Sequence, residues 1–185
     1  MCIGKGMIIR RGQTQPDYLR NSNGHEPLVR KLELRDDKPA MLRNFIRIEC
    51  LPLGALDSVK PKDWEVRVDE TGDLPAWFEE RFGDWEEKCL KTLTKIIIPR
   101  WVKNGLDGGL DLGGCTSLTS LGNLKSVGEW LDLGGCANLT SFGRVRVGVR
   151  LYAYKTKTST GRWLAECVIE INWPWRRKSR ITSGL

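Results

Sequence analysis

A chain of 185 residues with 40% hydrophobic and 29% charged side chains has the material for one domain with a buried core, and no apolar run in it reaches the length of a membrane span. The net charge of +7 is unevenly placed: residues 144–185 carry ten basic and two acidic side chains, so the basic character belongs to the C-terminal end. The N-terminus lacks the apolar run and cleavage site of a signal peptide, which together with six cysteines and no C-x-x-C pair points to reduced thiols in a cytoplasmic protein. The one histidine, His25, is remote from any cysteine pair, which argues against a structural zinc site.

Residues 1–40 are polar, with Gly, Asn, Gln and Pro scattered through them, and read as a weakly ordered arm. Residues 41–105 read as a strand-and-helix region. In Asn44–Leu51, Phe45, Arg47 and Glu49 alternate with Ile46, Ile48 and Cys50, which predicts a strand. Trp64, Val66 and Val68 predict a second one. A helical stretch opens at Leu74-Pro75. Asp84 then suits an N-cap, with Glu87 three residues on, for a helix carrying Trp85, Cys89, Leu93 and Ile96 or Ile97 inward. Pro99 is expected to end it.

Beyond it the chain repeats itself. Leu110-Asp-Leu-Gly-Gly-Cys-Thr-Ser-Leu-Thr-Ser-Leu-Gly recurs at Leu131-Asp-Leu-Gly-Gly-Cys-Ala-Asn-Leu-Thr-Ser-Phe-Gly, 21 residues later. After each L-x-L, apolar residues come every third position: Cys115, Leu118, Leu121, Leu124, then Cys136, Leu139, Phe142, Val145. That fits a short strand followed by tight turns, with Gly113-Gly114 and Gly134-Gly135 as the bends. Val147-Gly-Val-Arg-Leu-Tyr-Ala is a decayed third copy at a spacing of 20. From Val145 the pattern becomes strict alternation, and with Trp163–Trp173 it predicts a β-hairpin over 144–173. Residues 174–185 form a basic tail.

The repeat wording, L-D-L-x-G-C-x-x-L-T-S-L-G, resembles the short leucine-rich repeats of bacterial and phage-encoded proteins over residues 106–153. The resemblance implies an α+β fold: a short leucine-rich-repeat coil stack capped by the N-terminal strand/helix region and by the C-terminal β-hairpin. It also implies a protein-binding role.

Two constellations are candidates for function. The middle residue of each L-x-L points outward, which aligns Asp111, Asp132 and Tyr152, with Trp130 and Arg150 one position earlier and Tyr154 two positions later. Neighbouring strands sit about 4.8 Å apart, so the two aspartates repel each other and invite a basic group beside an aromatic anchor. Equally, Trp130 could pack under the hairpin while basic side chains neutralise the aspartates. The second constellation is basic and aromatic: Arg144, Arg146, Arg150, Lys155, Lys157 and Arg162 with Tyr152 and Tyr154, continued by Trp175, Arg176, Arg177 and Lys178. It could track phosphates while the rings stack on bases, or pair with Glu166 and Glu170. No phosphate loop, nucleophile motif, cofactor motif or metal-ligand set is recognisable, so an enzyme is not expected. The expected function is a non-catalytic protein–protein interaction module, a phage-type accessory or inhibitor protein that occludes a host defence or regulatory factor in a bacterial cytoplasm. Nucleic-acid binding through residues 144–180 is the alternative.

Overall fold

The computed structural model describes residues 4–35, 44–69, 74–154, 156–157, 163–164 and 168–170, the last three stretches as backbone only. Strands β1 (Lys5–Arg10), β2 (Phe45–Pro52) and β3 (Trp64–Val68) form an antiparallel sheet in that order. β2 and β3 follow the predicted alternation. β1 does not, because Met7-Ile8-Ile9 is a continuous run. The reason is that both faces of the sheet are covered, which favours unbroken apolar runs over alternation. Met7, Ile9, Ile46, Ile48 and Cys50 enter the main core, while Ile8 and Phe45 pack against Leu28 and Val29 of α1 (Glu26–Lys31). The segment read as a weakly ordered arm thus contains a buried strand and a buried helix face. Its loop also runs along the outer edge of β1, with Ile8 and Asp17 exchanging both backbone bonds and the Gly6 N–H donating to Asn23 at 2.5 Å.

Helix α2 (Ala76–Glu79) leads into α3 (Phe82–Thr92), a π turn (Leu93–Ile97) and α4 (Ile98–Asn104). Trp85, Cys89, Leu93, Ile97 and Trp101 are all buried, and Ile96 is exposed. Asp84 lies in the first turn of α3, and the residue at the cap is Arg81, which makes no side-chain cap bond. Pro99 does not end the helix. It sits in the first turn of α4, where the N–H it lacks is not needed, and the preceding π turn displaces the hydrogen-bond ladder. Gly105, at φ 83°, stops the helix.

The repeats follow as β4 (Leu110–Asp111), β5 (Ser126–Val127), β6 (Trp130–Asp132), β7 (Arg146–Val147) and β8 (Arg150–Tyr152). Leu110, Leu131 and Leu151 pair in parallel register, as do Val127 and Val147, matching the spacings of 21 and 20. Then come β9 (Thr156–Lys157), β10 (Trp163–Leu164) and β11 (Val168–Glu170). β8 pairs antiparallel with β11, and β9 with β10, in one shared register, as the predicted hairpin requires, although its first arm begins at Arg150 because β7 pairs with β5.

The expected leucine-rich coil stack with end caps is therefore corrected. The described residues form a mixed α/β fold of small sheets and helices, with no solenoid among them. The strands of the repeats are two or three residues long, and their inward residues Leu110, Leu112, Leu118, Leu131 and Leu139 enter one core with Met7, Ile48, Leu93 and Trp101. Two copies and a decayed third bury too little apolar surface by themselves, so the N-terminal sheet and helices become part of the same core. Cys115 is disulfide-bonded, against the expectation of reduced thiols throughout, whereas Cys50, Cys89 and Cys136 are free and buried.

Candidate functional site

The register of β4, β6 and β8 sets Asp111, Asp132 and Tyr152 in one outward row and Trp130 beside Arg150 in the next. Both aspartates act within their own turns: Asp111 Oδ1 accepts the Gly113 N–H at 2.9 Å, and Asp132 Oδ1 accepts that of Gly134 at 2.7 Å. Burial raises the pKa of Asp111 and the neighbouring Asp132 charge adds to that, while the Gly113 bond opposes both. The acidic ladder is thus also a pair of turn braces. Trp130 is 37% exposed, and its ring lies against Gly109, where any Cβ would collide with it. The ring of Tyr154 lies in the same way against Gly134. The small residue one copy earlier is what seats each ring on the sheet.

Arg144 and Arg146 belong to a different place. β7 pairs with β5, and their side chains line a separate groove with Lys125, whereas Arg150, Tyr152 and Tyr154 go with β8. The chain switches sheet between Val147 and Arg150, which the continuous alternation of the sequence did not reveal. Lys157 is placed by its backbone in β9, and Lys155, Arg162, Trp175, Arg176, Arg177 and Lys178 lie outside the described residues.

Trp130 lines a cleft of about 510 Å³. One wall is Gly108, Gly109, Asp111, Glu129 and Trp130, and the other is the 21–27 loop with Arg47 and Asp69. Asn23 joins the walls: its side-chain amide donates to the Asp111 carbonyl at 2.7 Å and its Oδ1 accepts the Asp111 N–H at 3.2 Å.

His25 is buried on Gly6, whose missing side chain makes room for the ring, since a Cβ there would come 2.9 Å from Nε2. Nε2 donates to the Ile48 carbonyl at 2.8 Å, and Nδ1 lies 3.6 Å from Asp69 Oδ2. Burial lowers the pKa of His25, so the imidazole is neutral at physiological pH. Arg47 Nε is 3.7 Å from the same Asp69 oxygen. Glu49 is fully buried beneath, and its Oε2 accepts from Arg67 Nε at 2.8 Å and from NH2 at 2.6 Å. Burial pushes its carboxyl above the usual range despite the Arg67 bonds.

Sequence reasoning named Asp111 and Trp130 of this cleft and missed His25, Arg47, Glu49 and Asp69. A partial signal existed: Arg47 and Glu49 share one face of the predicted strand. The chain matches no family model, no curated protein and no solved structure. Among the described residues, no helix is long and apolar enough to cross a membrane.

Proposed function

We propose that the protein is a non-catalytic binding module that captures a protein partner at the Trp130 cleft, in an accessory or inhibitory role. The observation that carries this reading is the placement of Trp130. A large, partly exposed ring that lines a cleft, seated on a glycine and flanked by Glu129, Asp111 and Asp69, is an anchor of the kind that dominates interface energies. The acidic flanks favour a partner segment that presents a basic side chain.

The nucleic-acid alternative has less support, because Arg144 and Arg146 lie at the sheet of β5 and β7, which leaves Arg150 as the basic side chain that stands with Tyr152 and Tyr154 among the described residues.

The test is affinity capture from a bacterial lysate with a nuclease control, comparing wild type with Trp130→Ala and Tyr152→Ala. Trp130→Ala is expected to weaken capture by about 2 kcal/mol or more, roughly thirtyfold, and Tyr152→Ala by less. Undiminished capture by both variants excludes this face. Capture abolished by nuclease or by moderate salt favours the alternative.

A further inference from the structure

The floor of the cleft holds a second constellation. His25, Glu49 and Asp69 bring a ring nitrogen and two carboxylate oxygens within 4.8 Å of one another. They come from the turn before α1, the central strand β2 and the residue that follows β3. Two of the polar atoms lack a counterpart. Glu49 is 0% exposed, and its Oε1 has no hydrogen-bond partner, because both Arg67 bonds go to Oε2. His25 gives its Nε2–H to Ile48, which leaves Nδ1 as the ring atom that faces a carboxylate oxygen of Asp69, at 3.6 Å. A ring nitrogen facing a carboxylate oxygen, beside an orphaned buried oxygen, is an arrangement that a cation held among the three would complete.

We propose that His25, Glu49 and Asp69 form a binding site for a single first-row divalent cation of the zinc class, reached from the cleft through Asp69. Ligand atoms bound tetrahedrally to zinc lie roughly 3.4 Å apart, close to the spacing of Nδ1 and the Asp69 oxygen. The groups behind the ligands are also those of a metal site. The second ring nitrogen of His25 is tied to a backbone carbonyl, and the Glu49 carboxylate is oriented by Arg67. One nitrogen and two oxygens leave a fourth position for water or for a group entering from the cleft. The imidazole selects against calcium and magnesium, which take oxygen ligands. Arg47 competes for Asp69 and weakens the affinity, without replacing the ion at Nδ1 or at Glu49. The donor set contains no cysteine, which is why no cysteine spacing announces it.

Metal-free protein is titrated with Co²⁺, read by its visible d–d bands, and with Zn²⁺, read by Tm. The proposal expects one equivalent of Co²⁺ to develop tetrahedral bands, Zn²⁺ to abolish them, and Tm to rise with Zn²⁺. Glu49→Gln and Asp69→Asn, both nearly isosteric, should each lower the affinity at least tenfold while keeping the metal-free far-ultraviolet spectrum. If Glu49→Gln does not fold, Asp69→Asn decides, since Asp69 is 23% exposed and its loss leaves no buried charge unpaired. Absence of bands and of any Tm shift in the wild type overturns the proposal and leaves a proton as the shared cation. Undiminished binding in both variants, or a thiolate charge-transfer band, overturns it by placing the ion elsewhere.

Discussion

Raising the pH from 7 to 9 is expected to strengthen the fold by about 1 kcal/mol, a gain of about 2 kcal/mol from one lysine being partly offset by three buried thiols. Lys5 is 0% exposed and lies 5.8 Å from the centre of the Trp101 ring; its ammonium donates to the Leu19 carbonyl at 2.5 Å and to that of Ser22. Burial pulls its pKa from 10.5 down to about 7, with the Cys50 thiol acting weakly the other way. Between those values the unfolded chain holds a proton that the folded chain has released, so the folded state gains as pH rises. The gain stops near pH 9. Above it the buried thiols reverse the trend, since Cys89 and Cys136 are pushed up to about 12 and Cys50 is also raised, all by burial. There the folded state keeps protons that the unfolded chain sheds. Urea unfolding at half-unit pH steps should therefore show a maximum close to pH 9. Lys5→Met should flatten the rise from 7 to 9 and leave the fall above it. A flat wild-type profile across that window would mean that Lys5 stays charged in the fold.

Leu131→Ala is expected to cost about 3–5 kcal/mol, a large part of the 5–15 kcal/mol that holds a typical domain. Leu131 is 0% exposed and sits in register between Leu110 and Leu151, so the backbone on both sides is held by parallel pairing and cannot close over the lost volume. Leu151 is only half-buried, next to the antiparallel strand β11, and Leu151→Ala should cost less than half as much. Equal losses in the urea midpoints of the two variants would refute the graded burial of the repeats.

What could be read beforehand was local. β2 and β3 show their period of two, the helix stripe from Trp85 to Ile97 shows its period, and the distances between copies predict the pairings of Leu110, Leu131 and Leu151. What could not be read depends on the rest of the chain. Met7-Ile8-Ile9 is too short and too uniform to mark a strand until both its faces are known to be covered. Lys5 looks like a surface charge because nothing nearby in sequence shows that Trp101 and two loop carbonyls enclose it. The cleft floor joins positions 25, 49 and 69 through the antiparallel register of a three-stranded sheet and the loop that borders it, and neither is visible as a motif. The solenoid expectation failed for a related reason: the repeat is conspicuous, yet the buried cluster that its leucines join is built as much by residues outside it.

The two bonds between Asn23 and Asp111 have a consequence for the company this chain keeps. β4 is the last strand of its sheet, and a terminal strand offers bare amides and carbonyls to any passing chain. Asn23 carries a donor and an acceptor in the arrangement of a peptide group, and it occupies that edge as a one-residue imitation of a further strand. The loop that shapes the cleft therefore also closes a route to polymerisation. Variation of that loop for a new partner that removed the amide at position 23 would leave the Asp111 N–H and carbonyl bare on the edge of the sheet.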